Sequence, residues 1–205
     1  EREAMKAFFF AHMQDDGGWG THVEGPSTMF GTVMCYVALR LLGVEKEELR
    51  KSREFIMEHG SATHTSSWAK FYLCVLGLSP WTSHNSTPVE MLLLPSWFPF
   101  HPGRMWCHAR MVYVPMSYLY SKRYAYSPPP GSADADLIES IKSEIYSDHA
   151  SVDWEKARTS VVDIDNYSPC TRLMNTAMYL LTFYESSSLV APLRNYVRGR
   201  GLKAA

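Results

Sequence analysis

Side chains that could carry chemistry are scattered along this 205-residue chain, and one adjacent acidic pair, Asp15 and Asp16, stands directly before two glycines. The nearest further metal ligands, His12 and His22, are loosely spaced around that pair. Adjacent carboxylates next to paired glycines are more typical of a polar turn that caps a helix than of an acid pair or a metal centre. We therefore predict no metal site here, and we expect the protein to need no cofactor.

A second pair of side chains that could take part in chemistry is the indole of Trp106 and the imidazole of His108, two positions apart. In a regular helix such side chains point about 200° apart. Both could still line one cavity at a helix start or in a bent segment. The alternative for His108 is a buried imidazole held by hydrogen bonds for structure. The alternative for Trp68 is a core position in an apolar helix.

Cysteine spacing gives no sign of zinc or disulfide chemistry. No Cys-x-x-Cys pair is present, and no Cys/His spacing matches a zinc site. The pattern predicts reduced, buried thiols in a reducing compartment. The four cysteines are Cys35, Cys74, Cys107 and Cys170.

Composition excludes several broad classes of protein. Hydrophobic residues make up 46% and aromatic residues 13% of the chain, which is enough apolar surface for a core and argues against disorder. The formal net charge is −1, and basic residues cluster only between 194 and 203, so we expect no nucleic-acid partner. No apolar run approaches the roughly 20 residues that span a bilayer. The chain begins at Glu1, already within a helical pattern, which suggests a fragment.

Apolar residues recur at three- and four-residue steps, which predicts helices over most of the chain. Thr28 or Ser27 can cap the second helix, and Gly43 can end it. Five prolines make Pro80–Arg104 irregular, and Ser127–Asp134 reads as a surface loop. Without alternating strands, the pattern predicts an all-α fold of helices paired by short loops. The predicted helices are Arg2–Met13, Ser27–Leu42, Glu45–His59, Ser66–Leu76, Met105–Tyr120, Asp134–Tyr146, Asp153–Arg158, Leu173–Tyr184 and Ala191–Lys203.

Three segments of the chain form a specific pattern: Asp16-Gly17-Gly18-Trp19-Gly20 with Ser27-Thr28-Met29-Phe30-Gly31, then Ser67-Trp68-Ala69-Lys70-Phe71-Tyr72, then His101 to Tyr120 with its Met105-Trp106-Cys107-His108 core. The third is the longest and the most specific. Taken in this order, the segments resemble squalene and oxidosqualene cyclases, clearly to about residue 124 and more weakly to 184.

The resemblance implies an α/α-barrel, a toroid of paired helices, of which residues 1–205 would be a partial N-terminal-half domain. In the family two such barrels enclose a cavity where 2,3-oxidosqualene cyclises through carbocations to a sterol precursor or triterpene. The family's acid motif, Asp-Cys-Thr-Ala-Glu, lies in the C-terminal barrel, so we expect this chain to be inactive alone.

The resemblance also implies roles for single residues. His108 would be the catalytic residue, steadying a late cation or arranging the final proton loss. Trp68 and Trp106 would line the cavity, and Tyr113 would stand at the constriction of the substrate channel. Ala109 occupies a constriction position that is usually Cys, so the gate would be slightly wider here.

The QW region departs from the family repeat, which places Gln six residues before Trp. Counting back from Trp19 gives Met13, while Gln14 is one residue late. We expect Trp19 to be structural. Either Gln14 substitutes through a local shift or the connection is weaker.

A membrane surface is a further expected partner, because the family is monotopic, at the endoplasmic reticulum membrane or a lipid droplet. The segment from Met91 to Phe100 could lie near the channel, and its alternative is a buried proline-rich connection. Two other hypotheses stay open for the whole chain. One is a non-catalytic α/α-barrel that binds lipid or serves structure; the other is a prenyltransferase-like barrel, for which a zinc-ligand set is missing.

Overall fold

The computed structural model describes residues 1–98, 101–167 and 171–205, and every regular element in these ranges is helical. The prediction of an all-α fold is therefore confirmed for the described residues. They divide into two compact units. Unit 1 comprises the described residues of 1–84 and 125–169, and unit 2 those of 85–124 and 170–205.

Nine α-helices lie in the described ranges, joined by short loops and 3₁₀ turns. They are α1 Arg2–Ala11, α2 Met29–Leu41, α3 Arg50–Glu58, α4 Ser67–Val75, α5 Cys107–Lys122, α6 Ala133–Ile145, α7 Trp154–Ala157, α8 Arg172–Ser186 and α9 Ala191–Ala204. The 3₁₀ turns are Ala62–His64, Trp81–Ser83, Val89–Leu93, Pro102–Arg104 and Asp163–Asp165.

Local chemistry sets the ends of α2. The Thr28 side chain accepts a hydrogen bond from the Gly31 amide at 3.0 Å, and Gly43 follows the helix with a φ of +84°. Both ends were predicted. The start predicted for α3 was wrong, because Glu45–Leu49 forms turns and the helix begins at Arg50. These turns allow Val44 and Leu49 to be buried together, which one continuous helix face would not achieve.

Unit 1 is built around α2, which packs against α1, α3, α4 and α6. Ile138, Ile141 and Ile145 form the inward face of α6 and are buried in the same core cluster as Val33 and Val37 of α2. Burial of side chains of this size stabilises a fold by roughly 1.5–3 kcal/mol each.

Two carboxylates reach α2 from distant parts of unit 1. Glu144 forms a buried, bidentate ion pair with Arg40, at 2.8 and 3.0 Å, and accepts a hydrogen bond from the Tyr36 hydroxyl at 2.7 Å. Asp165 accepts hydrogen bonds from the amides of Met29 and Phe30, at 2.8 and 2.7 Å. Asp165 thereby satisfies backbone donors that the first turn of a helix leaves free.

Unit 2 contains α5, α8 and α9 and the turn Val89–Leu93, which packs against α5 and α9. Among the described residues of this unit, the buried apolar side chains are few: Val89 and Tyr120, with the prolines Pro88 and Pro102. The apolar helix α5 is not buried within this chain, because most of its first half is exposed. In the described ranges, no helix combines the length and the apolar character needed to cross a bilayer.

The cysteines only partly match the prediction. Of Cys35, Cys74 and Cys107, only Cys74 is buried, and Cys107 is exposed. Cys107 is exposed because it stands in the open first turn of α5. Cys170 lies outside the described residues.

Candidate functional site at the start of α5

The first turn of α5 brings Trp106 and His108 together. Their ring centroids lie 4.4 Å apart with the planes at 69°, an edge-to-face arrangement. Trp106 is the residue before the helix, with a φ of −52° and a ψ of 142°. Because its backbone is extended, the helical angle of 200° does not apply, and the two rings meet. The two rings thus meet at the helix start, and the expectation that they line one cavity stays a prediction.

This ring pair is open to solvent in the chain. Trp106 is 71% exposed, and His108 is exposed as well. The alternative of a buried, structural imidazole at position 108 therefore does not hold. Aromatic faces attract cations by roughly 0.5–2 kcal/mol each, from exposed to desolvated sites. Unlike groups with free lone pairs, they do not readily form a covalent bond with the cation.

Ala109 and Tyr113 follow on α5, one turn apart and so on one face of the helix. Ala109 is exposed, whereas Tyr113 is half-buried. The Tyr113 hydroxyl donates a hydrogen bond to the Pro88 carbonyl at 2.9 Å and lies 3.0 Å from the Met91 sulfur. Burial raises the pKa of this hydroxyl, and the charge of Glu90 raises it further. Tyr113 is therefore neutral at ordinary pH and offers its ring, not a proton, to a ligand.

The second half of α5 is anchored within unit 2. The helix continues through Pro115, and Ser117, Tyr120 and Ser121 on its inner face are buried. Ser121 accepts a hydrogen bond from the Val89 amide at 3.3 Å, and Tyr120 donates one to Ser86 at 3.0 Å. A fixed C-terminal half therefore carries the exposed first turn.

Trp68 belongs to unit 1, on α4, and is 49% exposed. The alternative of a core tryptophan does not hold within this chain. Tyr72 lies one turn later and is also exposed, so α4 presents two rings on one face. Sequence reasoning missed Tyr72, although its four-residue spacing from Trp68 was a usable signal.

The opposite side of α4 carries Lys70, which is 2% exposed. Its ammonium donates hydrogen bonds to the carbonyls of Ala157 and Ser160, both at 2.6 Å. Burial lowers the Lys70 pKa to about 8, while the nearby Cys74 raises it slightly. Lys70 thus ties α4 to the chain after α7. No local pattern in the sequence indicates these carbonyl partners.

The QW region is structural, as predicted for Trp19. The indole is 4% exposed, and its nitrogen donates a hydrogen bond to the Phe9 carbonyl at 2.9 Å. The Gln14 amide donates a hydrogen bond to the Gly25 carbonyl, in the loop between Trp19 and α2. Asp16 accepts hydrogen bonds from the Gly18 amide and the Ser27 hydroxyl, at 2.9 and 2.7 Å, which confirms its role in a polar turn.

The predicted site residues thus fall into two groups. Trp106, His108, Ala109 and Tyr113 lie on or beside α5 in unit 2, and Trp68 lies on α4 in unit 1. Within the described ranges, no group of three or more His, Cys, Asp or Glu side chains is arranged to hold a metal ion. The chemistry that this arrangement offers is binding by aromatic faces.

Comparison with known proteins identifies the family of this chain. Residues 1–196 match the family described as the squalene-hopene cyclase N-terminal domain. A lanosterol synthase of Gibberella zeae is 44% identical over 170 residues, which cover 82% of this chain and 21% of that protein. A lanosterol synthase of Mus musculus is 40% identical over 187 residues, covering 90% and 25%.

A cycloartenol synthase of Dictyostelium discoideum is 39% identical over 188 residues, covering 90% of this chain and 26% of that protein. The chain thus spans about a quarter of the length of these curated relatives. The resemblance read from its three segments is confirmed. This chain belongs to the family of squalene-hopene cyclase N-terminal domains.

Proposed function

We propose that this chain forms part of an oxidosqualene cyclase, which converts 2,3-oxidosqualene to a sterol precursor or triterpene by cationic cyclisation. The observation that carries the proposal is the exposed Trp106–His108 ring pair, followed on α5 by Ala109 and Tyr113, within a chain of this family. In the complete enzyme a second barrel covers these rings and supplies the acid that opens the epoxide.

The chemistry asked of these residues is stabilisation and shielding. A carbocation in contact with water is quenched early, so the cavity has to be dry and its walls must not react. The rings of Trp68 and Trp106 stabilise positive charge by their electron-rich faces, and His108 steadies the late cation or directs the final proton loss. Ala109 in place of the usual thiol leaves a wider passage beside Tyr113.

The direct test is expression of the complete reading frame that contains this segment, in a host without its own cyclase. Supplied with 2,3-oxidosqualene, the folded protein should yield cyclic products that mass spectrometry identifies. The isolated 205-residue chain should give none. A folded complete protein that leaves the substrate unchanged would contradict the proposal and favour a non-catalytic module.

The role of His108 has its own test in the same complete enzyme. His108→Ala should change the product mixture more than it changes folding, because the imidazole is exposed in this chain and takes no part in its core. His22→Ala, another exposed histidine but in a loop of unit 1, is the matched control. Equal product mixtures from both variants would remove His108 from the mechanism.

We also propose monotopic attachment to the endoplasmic reticulum membrane or a lipid droplet. The segment Met91–Phe98 supports this, because Trp97 is 72% exposed and Leu93 is partly exposed; Pro99 and Phe100 lie outside the described residues. Aromatic side chains favour the membrane interface. Trp97→Ser should weaken co-sedimentation with phosphatidylcholine vesicles, and unchanged binding would exclude this segment.

A further inference from the structure

The turn Val89–Leu93 holds the phenol of Tyr113. The Pro88 carbonyl just before the turn accepts its hydrogen bond, and the Met91 sulfur lies 3.0 Å from the same oxygen. The position of the Tyr113 ring therefore depends on the position of this turn. A 3₁₀ turn of five residues has weak internal hydrogen bonds, so contacts from outside must fix it.

One set of such contacts comes from α9. Arg198 donates a hydrogen bond from its Nε to the Glu90 carboxylate at 2.9 Å, and both side chains are close to nine-tenths buried. Gly201 lies one turn further along α9. A Cβ there would lie 3.1 Å from the Val89 carbonyl oxygen, so glycine allows the helix to approach the turn closely.

The same carboxylate also binds α8 and belongs to a larger network. The Tyr184 hydroxyl donates to Glu90 Oε1 at 3.2 Å. Arg198 also pairs with Glu185, which in turn pairs with Arg123 at the end of α5 at 2.9 Å. The network therefore links the turn to α5, α8 and α9 through charged side chains, in a unit with few buried apolar residues.

Glu90 is the centre of this network, and its two oxygens differ. Oε1 accepts from both Arg198 and Tyr184, whereas Oε2 is buried without a hydrogen-bond partner among the described residues. An unpaired buried carboxylate oxygen costs stability.

We propose that Glu90 and Arg198 are positioning residues: they fix the turn Val89–Leu93 and thereby set the place of Tyr113 and the width of the passage beside Ala109. The inference rests on the proposed function, in which Tyr113 stands at the substrate constriction. Loosening the network should therefore change how fast the substrate reaches the cavity. It should not change how the cation is steered once the substrate is bound.

The test uses Glu90→Gln in the complete cyclase, because this change removes the charge and keeps the shape. We expect kcat/KM to fall about tenfold or more while the product mixture stays the same, since a displaced gate limits access and not the cyclisation itself. Glu144→Gln is the matched control, as it neutralises a buried, arginine-paired carboxylate in unit 1 that does not touch Tyr113.

A second readout does not depend on turnover. With 3-fluorotyrosine at position 113 of this chain, the fluorine resonance should shift in Glu90→Gln and stay unchanged in Glu144→Gln. If Glu90→Gln fails to fold, Arg198→Lys undergoes the same two measurements, because lysine keeps the charge and loses the Nε donor.

The outcomes separate the two proposals. A fluorine shift together with a selective loss of kcat/KM supports the positioning role. A folded variant with the resonance of the unmutated chain, or with the kinetics of Glu144→Gln, overturns it. If the unmutated complete protein shows no cyclisation, the proposed function fails, whereas the fluorine resonance still decides whether Glu90 positions Tyr113.

Discussion

Units 1 and 2 are held together by different physical means. Unit 1 buries a continuous apolar cluster around α2 and α6, and its central polar contact is the buried Arg40–Glu144 pair. Unit 2 buries little apolar surface and relies on the charged network around Glu90. Four of the five predicted site residues belong to unit 2. The difference indicates that aromatic rings exposed for a ligand cannot also form the core of unit 2. Polar contacts therefore hold this unit together.

The largest effect should come from breaking the buried ion pair of unit 1. Glu144→Ala leaves Arg40 buried without its carboxylate and should lower the free energy of unfolding by about 3–5 kcal/mol. Burial alone would raise the Glu144 pKa, but hydrogen bonds from Arg40, Ser140 and Tyr36 lower it overall. These partners therefore stabilise the charged form of the carboxylate.

Urea unfolding followed by circular dichroism measures this loss. Glu54→Ala is the control, because the Arg50–Glu54 pair is exposed and such pairs contribute about 0.2–1 kcal/mol. Equal losses from the two substitutions would contradict the view that unit 1 depends on its buried polar contacts.

A smaller effect should appear as a pH dependence at Lys70. The folded-state pKa of about 8 is below the ordinary value of 10.5, so between these values the unfolded chain binds more protons. The Lys70 contribution to the free energy of unfolding should therefore rise with pH across that window, by about 3 kcal/mol.

Lys70→Met isolates this contribution, because methionine does not titrate and the other groups are shared. The free energy of unfolding is measured in urea at pH 7.5 to 10.5 for both proteins. The value for the unmutated chain minus the value for Lys70→Met should rise with pH. Parallel pH profiles for the two proteins would show that the buried lysine titrates normally, and that α4 is not closed over it.

The smallest effect is expected on α8 of unit 2. Leu173 is 80% exposed, so Leu173→Ser should change the free energy of unfolding by less than about 0.5 kcal/mol. Ile141→Ser in unit 1 removes a fully buried side chain and should cost about 3 kcal/mol or more. Similar losses at the two positions would remove the contrast between the units.

Much of the fold could be predicted because short-range chemistry decides it. Thr28 and Gly43 mark the ends of α2, and the spacing of Ile138, Ile141 and Ile145 indicates the inner face of α6. The start of α3 could not be predicted from propensity. It depends on the joint burial of Val44 and Leu49, which is a tertiary effect.

The candidate site also has features that the local sequence predicts and features that it does not. Trp106, His108 and Tyr113 stand in a recognisable segment, and the contact between the first two follows from one extended residue before a helix. The Glu90–Arg198 contact joins residues 108 positions apart, so no window of sequence could indicate it. The roles of the site residues in catalysis stay predictions.

The Asp165 cap has a consequence for folding during synthesis on the ribosome. The amide of Met29 donates its hydrogen bond to a carboxylate that is synthesised 136 residues later. Until that residue leaves the exit tunnel, the N-terminus of α2 depends on Thr28 and water. While these 136 residues are synthesised, the central helix of the main core in unit 1 is incompletely capped, and chaperone protection would matter most in this period.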